Sequence, residues 1–378
     1  MKPFTYAQDR EFLSEHTPPI ELTNGGDARV LVTPGWQARV MTSTLGGDAG
    51  PSFGWLNRPF IASREDSPKF NNYGGQDRFW LGPEAGQFGL WFRPGNKFTL
   101  DDFQTPAGFN SGPFQVETAS QRAVTITRQF EVTNYSGTRF NCAVRRTIRL
   151  LDAESAALGL AAPIPAGLGW VGFESVNSLS NAGRDSWRAE TGLLCIWILG
   201  MFNPLPRGRV IAPFVPGDDV HLGPKINPYF GAIPPERLQV GEDCAWFTCD
   251  GACRTKIGIS PRRARHVVGS WDPDARVLTV VTFNLPGAAH RQRYVNSQWE
   301  IQDNPYGGDV VNSYNDGRDP ITGTVLGPFY ELETSSAAAA LAPGETLVHV
   351  HRTYHLTGSP AALNQLAFPV LGLTRLPE

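Results

Sequence analysis

Two carboxylates stand two residues apart in the run Gly327-Pro328-Phe329-Tyr330-Glu331-Leu332-Glu333-Thr334-Ser335-Ser336. Apart from those acids the run reads as a β-strand. Successive strand side chains point to opposite faces, so Glu331 and Glu333 share one face with Phe329, while Tyr330 and Leu332 share the other. Two residues of strand rise set the acids roughly 6–7 Å apart. Like charges that close resist joint ionisation. Such a pair suits a site where one acid keeps a proton, or where hydroxyl groups are gripped. The expectation is a cleft of sugar size built around this strand.

Residues 71–84, Asn71-Asn72-Tyr73-Gly74-Gly75-Gln76-Asp77-Arg78-Phe79-Trp80-Leu81-Gly82-Pro83-Glu84, add candidates for that cleft. Adjacent glycines let backbone approach a ligand. Asp77 and Arg78 could hold hydroxyls through charge-assisted bonds, with Tyr73, Trp80 and Glu84 close by in sequence. A strand over 170–181 carries polar Glu174 and Asn177. Lys256 opens the strand Lys256-Ile257-Gly258-Ile259, and Asn312 and Asp316 lie in an oxygen-rich segment over 307–317.

Cofactor chemistry has weaker signals. The 307–317 segment lacks the calcium-loop spacing. Cys244, Cys249 and Cys253 lie close enough in sequence for a zinc cluster but lack a fourth ligand. His349, His351 and His355 share one face of a strand over 346–356. His-x-His is a metal spacing, yet a polar face is also what a half-exposed antiparallel strand shows. No cofactor is expected, with calcium or zinc as the minor alternatives.

The elements that must position these groups are many and short. Forty Gly and 31 Pro are spread along 378 residues, the pattern of strands joined by turns. Strands are expected over 28–33 and 38–42 around a Pro34-Gly35 turn, and over 123–132 and 140–151 around Asn134-Tyr135-Ser136-Gly137. Arg145, Arg146 and Arg149 read as exposed sheet surface, and Arg254, Lys256, Arg262, Arg263 and Arg265 as a solvated basic loop. Periodicity leaves residues 193–199 open between buried strand and short helix. Residues 202–236 read as a long excursion of the kind that often caps a site. A short helix is expected within a lead-in over 1–27, and 28–378 as a single all-β, sheet-on-sheet domain. A net charge of −3 and a pI near 6.2 give nucleic acid no footing. No apolar run is long enough for a membrane span and no leader stands at residue 1, so the chain reads as cytoplasmic. Five cysteines suggest reduced thiols. Of ten Trp, 22 Phe and 9 Tyr most read as core, and the rest are candidates for stacking on sugar rings. Oligomeric state has no signal.

The run Gly74 to Glu84, the Lys256-Ile257-Gly258 triplet and Phe329-Tyr330-Glu331-Leu332-Glu333-Thr334-Ser335 with Leu341-Ala342-Pro343-Gly344-Glu345-Thr346 resemble the galactose-mutarotase-like (aldose 1-epimerase-like) superfamily, in an uncharacterised bacterial branch. The resemblance spans roughly residues 28 to 357. It implies an antiparallel β-supersandwich with a concave sugar-binding face and a mono- or oligosaccharide as partner. Leu332-Glu333-Thr334-Ser335 matches the superfamily's Leu-Glu-Thr-Gln motif, which implies Glu333 as general base at the anomeric hydroxyl. Two histidines of the superfamily have no counterpart: Tyr73 precedes Gly74-Gly75, and Glu174-Ser175-Val176-Asn177 occupies the central strand.

Mutarotation also needs an acid at the ring oxygen, for which Glu174 or Glu331 is available, with Arg78 or Lys256 orienting hydroxyls. Glycoside cleavage is an alternative for acids about 5–9.5 Å apart. A lyase on an acidic sugar would use Tyr73 as base and Arg78 and Lys256 as neutralising cations. A non-catalytic carbohydrate-binding protein is the third reading.

Overall fold

The computed structural model describes residues 4–287, 292–319 and 323–377. Every pairing between its strands is antiparallel. A ten-stranded sheet runs in the order Leu238–Val240, Cys244–Thr248, Arg209–Pro213, Val267–Asp272, Val277–Phe283, Thr346–Thr357, Gly169–Asn181, Arg139–Leu150, Ala123–Thr133, Gln115–Ala119. A six-stranded sheet runs Asn227–Pro228, Thr255–Ile259, Val311–Asn315, Tyr330–Ser335, Cys195–Phe202, Arg78–Gly82. Ile20–Thr23, Arg29–Thr33 and Arg39–Thr44 form a third, smaller sheet. The all-β supersandwich expected from the sequence is the observed architecture.

Alternation along the strands decides what fills the space between the two large sheets. Tyr330 and Leu332 pack with Phe202, Ile257, Val281 and Phe247 on the inner side. The outer side of the ten-stranded sheet buries a second apolar cluster, in which Tyr354 and Leu356 pack with Leu160, Leu363 and Leu366 of the helices Ala153–Leu160 and Pro360–Leu371. Those helices start on Asp152 and Ser359, whose side chains accept backbone N–H bonds that the first turn leaves unpaired. The N-terminal helix, Tyr6–Ser14, has a capping box between Thr5 and Gln8.

Several expectations are corrected by burial. Arg145 and Arg149 are on the surface, but Arg146 is fully buried between the sheets. It pairs with Asp77 and donates to Asn177 Oδ1 at 2.8 Å and to the Ala38 carbonyl at 3.0 Å. The histidine face of Thr346–Thr357 also points inward. Thr334 Oγ1 lies 2.8 Å from His349 Nε2 and 2.9 Å from His351 Nδ1, while His355 stacks on Phe53 at 4.1 Å. On the opposite side Val348 is 43 % accessible, while Tyr354 and Leu356 are buried beneath the helices. Residues 193–199 resolve as strand from Cys195 on, and the 202–236 excursion contributes Arg209–Pro213 to the middle of the large sheet. In the basic run, Arg263 is buried and ties down the carbonyls of Val215, Gly217 and Gly223.

Burial drives His349 and His355 down to about 3 and His351 to about 4. The unfolded chain therefore binds protons that the folded chain refuses. The contribution of these histidines is fully present above their unfolded value near 6.5 and is lost as pH falls through 6.5 toward 4. We expect the stability gap between the wild type and a His355→Gln variant, read from urea unfolding, to narrow between pH 7 and pH 5. A gap that is constant with pH would show that His355 is not held neutral.

Candidate functional site

The outer face of the six-stranded sheet collects the chemistry. Pairing register sets Glu333 opposite Asn312 and Leu199, Glu331 opposite Tyr314 and Met201, Lys256 opposite Tyr314, Arg78 opposite Leu199, and Trp80 opposite Trp197. Arg78, Trp80, Trp197, Lys256, Asn312, Glu331 and Glu333 thus share one face. Five of these seven were expected in a common site with Glu333. Trp197 was not, because its run reads only as apolar sequence.

Glu333 is fully buried. Its Oε2 accepts from Lys256 Nζ and from Trp197 Nε1, both at 3.0 Å. Glu331 Oε1 accepts from Arg78 Nη2 at 3.1 Å. The carboxyls of Glu331 and Glu333 project from the same face of one strand, two residues apart. Burial first, and then the charge of Glu333, push Glu331 up to about 8, although Arg78 and Lys256 oppose the shift. Glu331 therefore holds its proton more firmly than a free carboxyl does.

Arg78 lies flat on Trp80, its guanidinium carbon 3.9 Å from the ring centre, with Phe70 at 5.0 Å. Burial draws Arg78 down, against the pull of Glu331, Glu333 and Glu84. Burial would lower Lys256 too, but Glu333, Glu84 and Glu331 outweigh it and the ammonium is held more firmly than usual. Lys256 Nζ also stands 5.0 Å from the Trp197 ring and 5.4 Å from the Tyr229 ring. Glu84 accepts from Trp299 Nε1 at 2.6 Å, and burial raises it. Among the described residues, Arg78 Nε and Nη1, Trp80 Nε1 and Glu333 Oε1 have no hydrogen-bond partner, although all are buried.

Asp309 and Tyr229 complete the site. Asp309 accepts from Tyr229 Oη at 2.8 Å and from Asn227 Nδ2 at 2.7 Å. Burial lifts it to about 6. Both residues line a cavity of about 20 Å³ with Lys256, Trp197, Asn312 and Ser335, room for about one water. Sequence offered Asp309 only as one oxygen in a rich segment, and offered no signal for Tyr229. A larger hollow, about 490 Å³, lies elsewhere beside Trp91, Gln104, Asn110 and Glu131, and holds none of the paired acids.

The remaining candidates lie apart. Asp77 faces inward, held by Arg146 and by Ser175 Oγ at 2.6 Å, so neighbouring Asp77 and Arg78 serve opposite faces. Asn177 belongs to the same inner network. Glu174 lies on the outer side of the ten-stranded sheet, clamped by Arg149 at 2.8 Å and Arg352 at 2.6 Å, and cannot act as partner acid to Glu333. Tyr73 stacks on Trp36 at 4.3 Å in the apolar cluster of the N-terminal helix. Asp316 accepts from Tyr314 Oη and from the backbone N–H groups of Leu326 and Gly327, bracing the entry to the Glu331 strand. Cys244 and Cys249 are buried in separate cores, so the three cysteines do not gather. Among the described residues no group of three or more His, Cys, Asp or Glu is arranged to hold a metal. No described helix is long and apolar enough to cross a membrane.

The fold is that of the galactose-mutarotase-like structures. A candidate aldose 1-epimerase from Escherichia coli K12 is similar at a TM-score of 0.52 and 12 % identity, over 90 % of this chain and 99 % of its own. The Slr1438 protein of Synechocystis sp. PCC 6803 is similar at 0.51 and 11 % identity, over 91 % and 96 %. No curated protein matches the sequence. Residues 4–375 match a family of unknown function (DUF6786), and the chain belongs to that family.

Removing Lys256 leaves Glu333 buried without its cation. We expect Lys256→Met to destabilise the chain by about 3 kcal/mol, and Lys256→Met with Glu333→Gln to recover part of that loss in denaturant titrations. Additive losses would show that the two side chains are not coupled.

Proposed function

We propose that the chain is carbohydrate-active: a sugar binds on the Arg78, Trp80, Lys256 face and the Glu331/Glu333 pair interconverts its anomers. The observation that carries this reading is two buried acids on one strand face, one bonded to a guanidinium and the other to an ammonium. Anomer exchange needs one base and one acid at the same moment. Glu333, ion-paired to Lys256, takes the proton from the anomeric hydroxyl. Glu331, the acid whose proton is held up by burial, gives one to the ring oxygen. The bond from the anomeric carbon to the ring oxygen breaks as the carbonyl forms. Rotation and reclosure return both protons.

The partnerless groups support the same ligand class. Arg78 Nε and Nη1 and Trp80 Nε1 are donors, and Glu333 Oε1 is an acceptor. Hydroxyls and ring oxygens answer both kinds, and each buried polar group left unpaired costs about 1–3 kcal/mol. One rival chemistry fits less well. The lyase reading loses its base with Tyr73 in another cluster.

We expect the protein to speed the α-to-β exchange of an aldose, followed by polarimetry or by proton exchange spectroscopy over a panel of sugars. Glu333→Gln should abolish the effect, at least about a hundredfold for a lost general base. The rate should fall as pH rises through about 8, where Glu331 loses its proton, and Glu331→Gln should remove that limb. Glu174→Gln should leave the rate unchanged. Sugars that raise the melting temperature without exchange would leave a binding protein, and no response to any sugar would sink the assignment.

A further inference from the structure

The acid pair is closed off. The cavity against Lys256 is about 20 Å³, whereas sites for small molecules run to roughly 300 Å³ or more. If this face takes a sugar, as proposed above, some covering element must move. Among the described residues, two elements close the cavity beside Lys256. One carries Val295, Ser297 and Asp309, and is anchored by Tyr294, Val310 and Gln302, all buried. The other brings Tyr229, from a stretch in which no side chain between Val215 and Asp243 is fully buried. Segments with so few buried contacts open at the lowest free energy.

The second element is fastened over the site by few bonds. Asn227–Pro228 adds two residues to the edge of Thr255–Ile259, and Tyr229 N donates to the Lys256 carbonyl at 3.1 Å. Beyond these, Tyr229 Oη and Asn227 Nδ2 both donate to Asp309, one to each carboxylate oxygen. Ile226 and Ile233 add half-buried apolar contacts on either side. At its start the segment is held by Arg263 on the Gly223 carbonyl, and at its end by Arg237 and Leu238 N–H groups on the Pro234 carbonyl. Those two points sit at the ends of 224–236; among the described residues its middle is held by the Asp309 bonds and by ring contacts, Phe230 lying 6.2 Å from Tyr314 and 4.6 Å from the Arg254 guanidinium, and Tyr229 5.4 Å from Lys256 Nζ.

Gly258 shows that the fastening is built in. A Cβ at this position would stand 2.0 Å from Asp309 Oδ2 and 2.7 Å from Tyr229 Cε2. Its backbone has no positive φ, so another residue could adopt the conformation. Glycine is required there by the close approach of the latch to the strand.

We propose that residues 224–236 form a strap over the Glu331/Glu333 pair, that Asp309 is the latch holding it shut through Tyr229 and Asn227, and that release of this latch admits the sugar. Asp309 and Tyr229 are positioning residues, since they act through the strap. The closed strap would also strip water from Lys256 and the acids, which strengthens their interactions.

Hydrogen–deuterium exchange of the full chain, read by mass spectrometry without any sugar, tests this. Each latch bond is worth about 1 kcal/mol, so Tyr229→Phe should speed exchange over 224–236 by about fivefold. Gly258→Ala should do so by at least as much. Peptides covering Val311–Asn315 and Tyr330–Ser335 should keep wild-type protection. Unchanged exchange in the strap of both variants, or an equal rise throughout the chain, would overturn the latch. Because no sugar enters the measurement, a failure of the anomerase reading leaves this result standing, and the converse also holds. If anomer exchange is observed, Tyr229→Phe should change KM more than it changes the rate at saturation.

Discussion

The period of two in the strand Tyr330–Ser335 is the constraint on which the rest of the site depends. It sends Tyr330, Leu332 and Thr334 into the space between the sheets and Glu331 and Glu333 to the other face. The inner residues cannot be moved without opening the core, and a slip of one residue would exchange the faces. Fixing Leu332 and Tyr330 therefore also fixes the acids. The neighbouring strands bring their groups to the same face: Arg78 and Trp80 from one edge, Trp197 from beside them, Asn312 and Lys256 from the other side. Five strands of one sheet thus make the site, with no loop needed to place the acids.

Much of this was legible because it depends on local parity. The spacing of Glu331 and Glu333, the strand character of their run and the Lys256 triplet all follow from neighbouring residues. The same rule exposes the misplaced expectation at Asp77. Residues 77 and 78 are adjacent in a strand-forming run, so they cannot serve one face, and the structure sends Asp77 inward to Arg146. Other features could not be read locally. Glu174 has the right chemistry, but which side of Gly169–Asn181 faces the partner sheet is decided by pairing with a strand more than 170 residues later. The same holds for Arg146 and for the three histidines, where a polar stripe suggests solvent and the structure supplies buried partners instead. Tyr229 reaches the site only because Asn227–Pro228 joins the edge of a sheet, an event that two residues of sequence do not announce.

The inner network and the outer site illustrate two uses of buried charge. Arg146 bonds to Asp77, Asn177 and two backbone carbonyls, and Asp77 also accepts from Ser175. A pair so fully hydrogen-bonded specifies how the sheets meet, although an apolar pair of similar shape could be as stable. The outer group is different. Arg78 uses one nitrogen and leaves two, Glu333 uses one oxygen and leaves the other, and Trp80 leaves its N–H. Packing alone gives no reason for polar groups to be buried and left without partners.

Charge balance sharpens that contrast. Among the described residues, Glu84, Glu331, Glu333 and Asp309 stand around two cations, Arg78 and Lys256, with Arg254 acting on Glu84. All four acids ionised would leave the group at minus two in a medium that penalises even a single unpaired charge. Burial opposes that state by raising Glu84, Glu331 and Asp309, Glu331 furthest among those given a value, to about 8. An acid raised in this way beside an ion-paired one can exchange a proton, and the site is closed by an element that is itself held by one of those acids. Proton inventory and access are therefore joined through Asp309: the carboxylate that fastens the strap belongs to the same charge balance as the pair beneath it.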